Sequence, residues 1–440
     1  MRARHTGLEK PRALQRVLYR AAKEDARRRF HSLHDKVARS DVLAMGWEQV
    51  RANKGAPGVD GVSIADVEAL GVDRFLAELA DKLRAGRYRP QPLRRVHIPK
   101  PGTTKTRPLG IPTVTDRVVM AAARWVLEPI FEADFRDCSF GFRPRRSAHQ
   151  AVEAVRQAAN APTRGEWVLD ADLAGCFDNI SHAALMEQVS RRVCDRRMLT
   201  LLRMWLRAGV LEGSTLSETV SGTPQGSPIS PLLANIALHV LDVAWQERGW
   251  RLGVLTRYAD DFVIVCPTQD RARQARLLVE EVLDDLGLSL NVDKTRIVCL
   301  HQGRDGFDFL GFHFRKVESH RWRGRWYCHR WPSKKAMAAV RAKIRTVTGR
   351  TFVGRSIADR VEVLNPILRG WGNYFAPGNS AQAFKTIDRY VYERLTLFAS
   401  KKHGRRGRGW QDRWQWSWYA RLGVYQLSGR VAWQAPYASR

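Results

Sequence analysis

Hydrophobic and polar positions change their period several times along the chain, and the most informative change lies around residue 260. Two runs rich in β-forming residues, 252–258 and 262–266, stand on either side of an acidic pair, Asp260 and Asp261. Because the chain has to reverse between two adjacent runs of this kind, the pattern predicts a β-hairpin with the acidic pair at its tip.

A third run, residues 166–173, is typical of a strand that ends in carboxylates. Alternation along a strand puts Asp170 and Asp172 on the same face, so one of them could have a structural role. Helical periods surround these runs and give the order β-α-β-β-α-β, which predicts an α+β fold with a split βαβ antiparallel sheet backed by helices. The helical segments are 199–208, 231–246 and 271–286, and the last strand is 295–300.

The positions of the acidic residues in the predicted hairpin and strand indicate a metal-binding site. A carboxylate pair on a rigid turn is costly unless a cation neutralises it, and hard oxygen ligands suit Mg²⁺. If strand 166–173 lies beside the hairpin, Asp172 and Asp260 converge, and such a site can hold two metal ions about 3.5–4 Å apart. Asp284 and Asp285 form the same dipeptide within a helical pattern, so the dipeptide alone indicates little, and unrelated surface acids remain the alternative for any single pair.

The composition of the chain is strongly basic. The chain has 74 Lys and Arg against 44 Asp and Glu, a net charge of +30. Residues 321–440 alone carry 25 basic and 5 acidic residues and nine of the fifteen Trp residues. Such a charge attracts polyanions, and cations interleaved with Trp can bind phosphates while the rings stack on bases. Surface contact with nucleic acid is the expectation for 321–326 and 401–418, whereas Trp371 is expected in a core.

With these residues in view, the chain resembles the reverse transcriptases encoded by bacterial group II introns, the intron-encoded maturases. The likeness is collinear from about residue 33 to about residue 380, and it depends on several short motifs in a fixed order. Each motif is weak alone, but their order and spacing together are specific to that family. The motifs are 53–61, 98–100, 107–112, 139–144, 172–179, 222–226, the Tyr-Ala-Asp-Asp hairpin 258–261, 309–312, 332–335 and 368–375.

The resemblance implies a right-hand polymerase in which fingers and palm are followed by an α-helical thumb, the maturase or X domain. Helical patterns at 333–348, 357–364 and 381–397 agree with that thumb, and 401–409 has the composition of a linker. The expected units are a basic N-terminal extension at 1–40, fingers at 41–165, a palm with the catalytic Asp residues at 166–315, the thumb at 316–400, and a basic, Trp-rich DNA-binding segment at 401–440.

The resemblance also implies roles for individual residues. Asp172, Asp260 and Asp261 would be the catalytic carboxylates that bind two Mg²⁺ ions. Because adjacent residues at a turn rarely both face one ion, Asp172 and Asp260 are the pair expected to converge. Phe177 would exclude a ribose 2′ hydroxyl and so select deoxynucleotides.

Further resemblance-based roles concern the incoming nucleotide and the nucleic acids. Lys100 and Arg107 would bind the triphosphate, one as a point charge and the other as a planar fork, and Gln225 would lie against the nucleotide sugar. The residues expected to bind nucleic acid are Arg143, Lys334, Lys335, Lys343, Arg345, Lys401, Lys402, Arg405 and Arg406.

These expectations define a function. The resemblance implies an RNA-directed DNA polymerase that copies its intron RNA into cDNA during retrohoming and assists splicing as a maturase. Its partners would be the structured intron RNA, an RNA template with a DNA primer, deoxynucleoside triphosphates and target DNA, with the oligomeric state left open. Two alternatives stay open: a domesticated relative serving DNA repair or phage defence, and a splicing-only RNA-binding cofactor.

Absent patterns narrow the interpretation further. The six cysteines form no C-x-x-C pair, so neither a zinc site nor a disulfide framework is predicted, and we expect no Cys-rich endonuclease domain. No run of about 18 apolar residues occurs, so no membrane placement is expected. The expected location is the bacterial cytoplasm, in association with the nucleoid or a ribonucleoprotein.

Overall fold

The computed structural model describes residues 3–99, 106–161, 165–212, 215–217, 221–222, 226–403 and 414–432. Its first part is mainly helical and also contains two strands that pair antiparallel and join a four-stranded sheet. Helix α6 begins after Thr113, whose hydroxyl accepts a hydrogen bond from the Asp116 backbone N–H, so the helix has a good N-terminal cap. The elements of this part are α1 Ala3–Glu24, α2 His34–Val37, α3 Ser40–Asn53, α4 Ile64–Leu70, α5 Val72–Arg84, β1 Leu93–Pro99, β2 Thr106–Ile111, α6 Val114–Glu132 and α7 Ala148–Asn160.

The central part contains the predicted split βαβ sheet. Its four strands lie in the order β6-β7-β3-β8, and all neighbouring pairs are antiparallel. The elements are β3 Trp167–Asp172, α8 Cys176–Asn179, α9 His182–Ser190, α10 Arg196–Leu206, β4 Val210–Glu212, β5 Thr215–Ser217, α11 Ser230–Ala244 with a π-helical turn Trp245–Gly249, β6 Val254–Tyr258, β7 Asp261–Cys266, α12 Gln269–Asp284 and β8 Arg296–Cys299. This sheet, β6-β7-β3-β8, is called the palm sheet below, and the predicted α+β class is confirmed.

The third part adds a small sheet and a group of helices. The small sheet has the order β11-β10-β9, and the predicted boundary between residues 315 and 316 falls inside its middle strand. The helical part therefore begins at Lys334, after the Ser333 cap. The elements are β9 Gly306–Phe309, β10 Phe312–Glu318, β11 Trp326–Pro332, α13 Lys334–Val347, α14 Ile357–Phe375, α15 Ala381–Lys402 and α16 Trp416–Arg421.

The palm sheet separates two hydrophobic cores because its strands alternate. Phe262 and Ile264 of β7 face the core shared with the N-terminal helices. Val263 and Val265 face the second core, which contains the small sheet and the C-terminal helices. Burying both faces anchors the strands that carry the acidic residues.

The C-terminal residues 414–432 belong to the second core. Tyr419 and Leu427 are fully buried there. The Asp388 carboxylate accepts hydrogen bonds from the backbone N–H groups of Leu427 and Ser428 at 2.9 and 2.8 Å. The described part of the predicted separate segment 401–440 is thus packed into the thumb, and α15 extends through Lys402 where a linker was predicted. Among the described residues, no helix is long and apolar enough to cross a membrane.

Candidate active site

The acidic residues meet at one end of the palm sheet. Asp172, the last residue of β3, pairs in register with Asp261, the first residue of β7. Asp260 occupies the turn before β7, and Ala259 beside it adopts a left-handed conformation with φ of 59°. The sheet therefore brings together the three carboxylates that the sequence singled out, and the residue directly opposite Asp172 is Asp261, not Asp260.

The electrostatics of these carboxylates show strain that a cation would relieve. Burial raises the pKa of Asp261 to about 7, and the charges of Asp170, Asp260 and Asp172 add to the effect. Burial also raises the pKa of Asp260, with a further contribution from Asp172 and an opposing one from Arg107. Carboxylates held together at this cost are typical of metal-binding and catalytic sites.

Two basic residues neutralise part of this charge, one in the loop before β8 and one at the start of β8. Lys294 Nζ lies 2.7 Å from Asp172 Oδ2, and both side chains are partly exposed. Arg296 Nε lies 3.0 Å from Asp170 Oδ2, whose carboxylate is largely buried. Asp170 is therefore paired within the chain, as suits a structural role. Sequence reasoning missed Lys294, since nothing in its spacing links it to a residue 122 positions earlier.

The donor set suits Mg²⁺ bound together with a substrate. Among the described residues, no group of three or more His, Cys, Asp or Glu side chains is arranged so that it could hold a metal ion without further ligands. Mg²⁺ is usually held by one or two carboxylates together with water and substrate phosphates, so a cage made of protein ligands alone is not required. The oxygen donors of Asp172, Asp260 and Asp261 fit such a site.

A buried arginine supports the turn that carries Asp260. Arg257 is fully buried, and its guanidinium donates two hydrogen bonds to the fully buried Asp242, at 2.8 and 2.5 Å. The same guanidinium donates to the Ala259 carbonyl at 2.9 Å and to Asn235 Oδ1 at 3.1 Å. A Cβ on Gly141 would lie 2.3 Å from the Ala259 nitrogen, so the turn is packed closely from below. Sequence reasoning missed this network, and the only available signal was an arginine inside a run of β-formers.

Phe177 lies on the short helix α8, which follows the strand that ends at Asp172. Its ring is partly buried against the first core. The neighbouring Cys176 thiol has a pKa raised to about 12 by burial and by the charge of Asp260, which puts α8 close to the catalytic turn. The role of Phe177 next to a nucleotide sugar stays a prediction.

Among the predicted triphosphate ligands, Arg107 can be located relative to the carboxylates. It is exposed on β2, and its charge lowers the pKa of Asp260, so the two groups are near each other. Lys100 and Gln225 lie outside the described residues.

Arg143 corrects one sequence prediction. Its side chain is only 4% exposed, and its guanidinium donates to both Glu132 carboxylate oxygens, at 3.0 and 2.8 Å. It also donates to the Ser139 carbonyl at 2.7 Å. A guanidinium that is buried and saturated in this way holds the fingers together and is not available to bind nucleic acid.

The other predicted nucleic-acid ligands face solvent. Lys334, Lys335, Lys343 and Arg345 are exposed on α13, and Lys401 and Lys402 are exposed at the end of α15. Arg405 and Arg406 lie outside the described residues. A cleft of about 1060 Å³ lies between α13, the start of α15 and the small sheet, and its lining includes basic residues that the sequence did not single out. Those residues are Arg296, Arg304, Arg315 and Arg341.

Comparison with known proteins places these features in context. Residues 98–314 match the family of reverse transcriptases (RNA-dependent DNA polymerases), and residues 337–416 match the maturase-specific domain of group II introns. Protein YkfC of Escherichia coli (strain K12) is 38% identical over 335 residues, which covers 68% of this chain and 86% of YkfC.

Two further similarities cover less or are more distant. The group II intron-encoded protein LtrA of Lactococcus lactis subsp. cremoris is 40% identical over 214 residues, which covers 48% of this chain and 35% of LtrA. A structure of telomerase from Candida albicans has a TM-score of 0.43 and 12% identity, over 80% of this chain and 68% of that one.

Proposed function

This chain belongs to the group II intron reverse transcriptase and maturase family, and we propose that it copies its own intron RNA into DNA during retrohoming and assists the splicing of that intron. As a member of the family it is an RNA-directed DNA polymerase with a maturase domain. The observation that carries the proposal is the meeting of Asp172, Asp260 and Asp261 at one end of the palm sheet.

The three carboxylates would hold two Mg²⁺ ions. When bound, these ions would help to deprotonate the primer 3′ hydroxyl and stabilise charge on the leaving pyrophosphate. The chain contributes by positioning the carboxylates, because the register of two neighbouring strands fixes Asp172 and Asp261. Arg257 fixes the turn between β6 and β7 from below through the Ala259 carbonyl.

Selection of the nucleotide would depend on two described residues. Arg107 would bind the triphosphate as a planar fork, next to the carboxylates that it already influences. Phe177 would occupy the space of a ribose 2′ hydroxyl and exclude ribonucleotides by contact. Lys100 and Gln225 complete this part of the proposal by family resemblance.

Nucleic acids would bind along the basic cleft and the exposed face of α13. The template-primer would lie in the cleft lined by Arg296, Arg315 and Arg341, since its mouth adjoins Asp170 through Arg296. The structured intron RNA would be recognised by shape and phosphate contacts on the thumb. Target DNA would be a further partner, and we propose a cytoplasmic ribonucleoprotein, associated with the nucleoid, as the working form.

A primer-extension assay with an RNA template, a DNA primer and deoxynucleotides tests this proposal. The double substitution Asp260→Ala with Asp261→Ala should reduce extension to background. The matched control replaces Asp284 and Asp285, an identical dipeptide that is exposed at the end of α12, and should extend as the unmodified protein does. Extension that survives the first substitution, in a protein that melts cooperatively, would contradict the assignment.

A further inference from the structure

The tip of the β10–β11 hairpin, residues 319–325, is a basic turn that carries an exposed aromatic ring. Trp322 lies at the centre of this tip and is 49% exposed. The guanidinium carbons of Arg321 and Arg325 lie 5.1 and 5.9 Å from the centre of its ring, and Arg323 is exposed between them. Among the described residues, no carboxylate lies within ion-pair distance of these three arginines, so their charges are free to bind an anion.

The hairpin tip is an ordered turn. The Ser319 N–H donates to the Arg325 carbonyl at 2.8 Å, and the Trp322 N–H donates to Ser319 Oγ at 3.2 Å. The nearest acid, Glu318, accepts a hydrogen bond from the Gly324 N–H at 2.8 Å. Gly324 has a φ of 80°, which other residues adopt only with strain. The tip therefore presents the Trp322 ring from a fixed backbone, and little conformational entropy remains to be lost on binding.

The hairpin tip lies at the opposite end of the palm sheet from the carboxylates. Lys316, near the outer end of β10, is 2.7 Å from Glu166, which immediately precedes β3. Asp172 ends the same strand, and six residues of strand span about 20 Å. The hairpin tip is consequently far from the end of the palm sheet that carries the carboxylates, and it is beyond the reach of the reacting nucleotide.

We propose that the hairpin tip is an accessory binding site for unpaired nucleotides of single-stranded RNA or DNA. Bases would stack on the exposed Trp322 ring, while Arg321, Arg323 and Arg325 would bind the adjacent phosphates. A duplex hides its base faces, so the exposed ring favours an unpaired strand. The proposal rests on the proposed function only for the class of ligand, since a nucleic-acid polymerase handles such strands.

The test uses the full chain preloaded with a primer-template duplex, so that the catalytic cleft is occupied. A labelled 12-nucleotide single strand is then titrated and its anisotropy followed, with RNA and DNA strands as separate arms. Trp322→Ala should weaken this second binding event by about 5- to 100-fold, the range expected for loss of base stacking. Trp322→Phe should retain most of the binding, and primer extension should be unchanged in both variants.

Two controls separate stacking from general charge. Trp250→Ala removes a Trp that is 51% exposed and lies 4.9 Å from the Arg251 guanidinium carbon, outside the β10–β11 hairpin. It should leave the affinity unchanged. A strand with abasic positions should bind the unmodified protein as weakly as the normal strand binds Trp322→Ala.

Either of two results would overturn the proposal: equal affinity of Trp322→Ala and the unmodified protein, or complete competition by the preloaded duplex. Extension is recorded on the same samples. A protein that binds the strand through Trp322 but does not extend would instead count against the polymerase assignment, so the two failures remain distinguishable.

Discussion

Lys294 donates to Asp172 across 2.7 Å, so an ammonium group occupies one side of a carboxylate that is proposed to bind metal. Both side chains are partly exposed, at 63% and 42%, and an ion pair of this kind is weak in water. A divalent ion would compete with the lysine for the same oxygen. Lys294 is thus placed to reduce repulsion among the carboxylates when no metal is bound.

The first prediction follows from that competition. Lys294→Met should lower the Mg²⁺ concentration needed for half-maximal binding by about two- to fivefold, the size of an exposed ion pair. Binding is measured by the thermal shift of the protein as Mg²⁺ is added, without reference to activity. Lys335→Met, on the exposed face of α13, serves as the control and should leave the titration unchanged. A higher Mg²⁺ requirement in Lys294→Met would show that the lysine supports the metal site instead.

The second prediction concerns pH. Because the pKa of Asp261 is about 7 in the folded protein and near 3.9 when unfolded, the folded state binds more protons between these values, and stability falls as pH rises through that window. Asp261→Asn should therefore raise the free energy of unfolding at pH 8 without divalent ions, by about 2 kcal/mol after allowance for partial exposure. The gain should vanish near pH 4. Unfolding scans across pH, with Asp284→Asn as control, provide the measurement, and a pH-independent difference would argue against this origin.

The third prediction concerns the Arg257 network. Arg257→Met should destabilise the fold by about 3–5 kcal/mol, because it leaves the buried Asp242 without its arginine partner. The double variant Arg257→Met with Asp242→Leu should recover much of that stability. Extension should stay impaired in the double variant, mainly in kcat, because the Ala259 carbonyl has lost its donor. Recovery of both stability and extension would limit the network to a structural role.

The fourth prediction concerns nucleotide choice. Phe177→Ala should admit ribonucleotides, lowering discrimination by about tenfold or more through loss of steric exclusion. Metal binding should be unaffected. The measurement is kcat/KM for deoxy- and ribonucleotides, and Phe177→Tyr is the conservative control. Unchanged selectivity at normal rates would remove Phe177 from the nucleotide site.

Local sequence patterns predicted much of the site. The hairpin around Asp260 and the strand ending at Asp172 depend on short-range alternation, which a sequence displays directly. Lys294 and Asp172 are 122 positions apart, and their contact arises only when β3 and the loop before β8 come together. Arg143 was predicted to bind nucleic acid on the basis of the family resemblance, but Glu132 neutralises it inside the fold. Pairings of this kind depend on tertiary packing, which composition does not encode.

In the C-terminal helical part, too, local patterns were predicted from the sequence, whereas features that depend on tertiary packing were not. The pattern predicted α14 over 357–364, whereas the helix continues through Pro366 to Phe375, because Leu368 and Phe375 extend its buried face. The Trp-rich C-terminal residues were predicted as a separate binding segment because basic and aromatic residues alternate there. Within the described residues, Trp414, Trp416 and Trp418 instead pack against the thumb core around Tyr419. Whether an aromatic residue stacks on a ligand or fills a core depends on whether other parts of the folded chain pack against its ring.

We propose that the carboxylates perform synthesis while the thumb binds RNA, and measuring splicing and primer extension side by side on two variants tests this division of roles. The Asp260→Ala, Asp261→Ala double variant should lose extension but still promote splicing of its own intron at low Mg²⁺, since removing two negative charges does not weaken RNA binding. A variant with Lys334, Lys335, Lys343 and Arg345 all replaced by Ala should lose splicing and template binding together. Loss of splicing in a folded carboxylate variant, or full splicing in the thumb variant, would contradict this account.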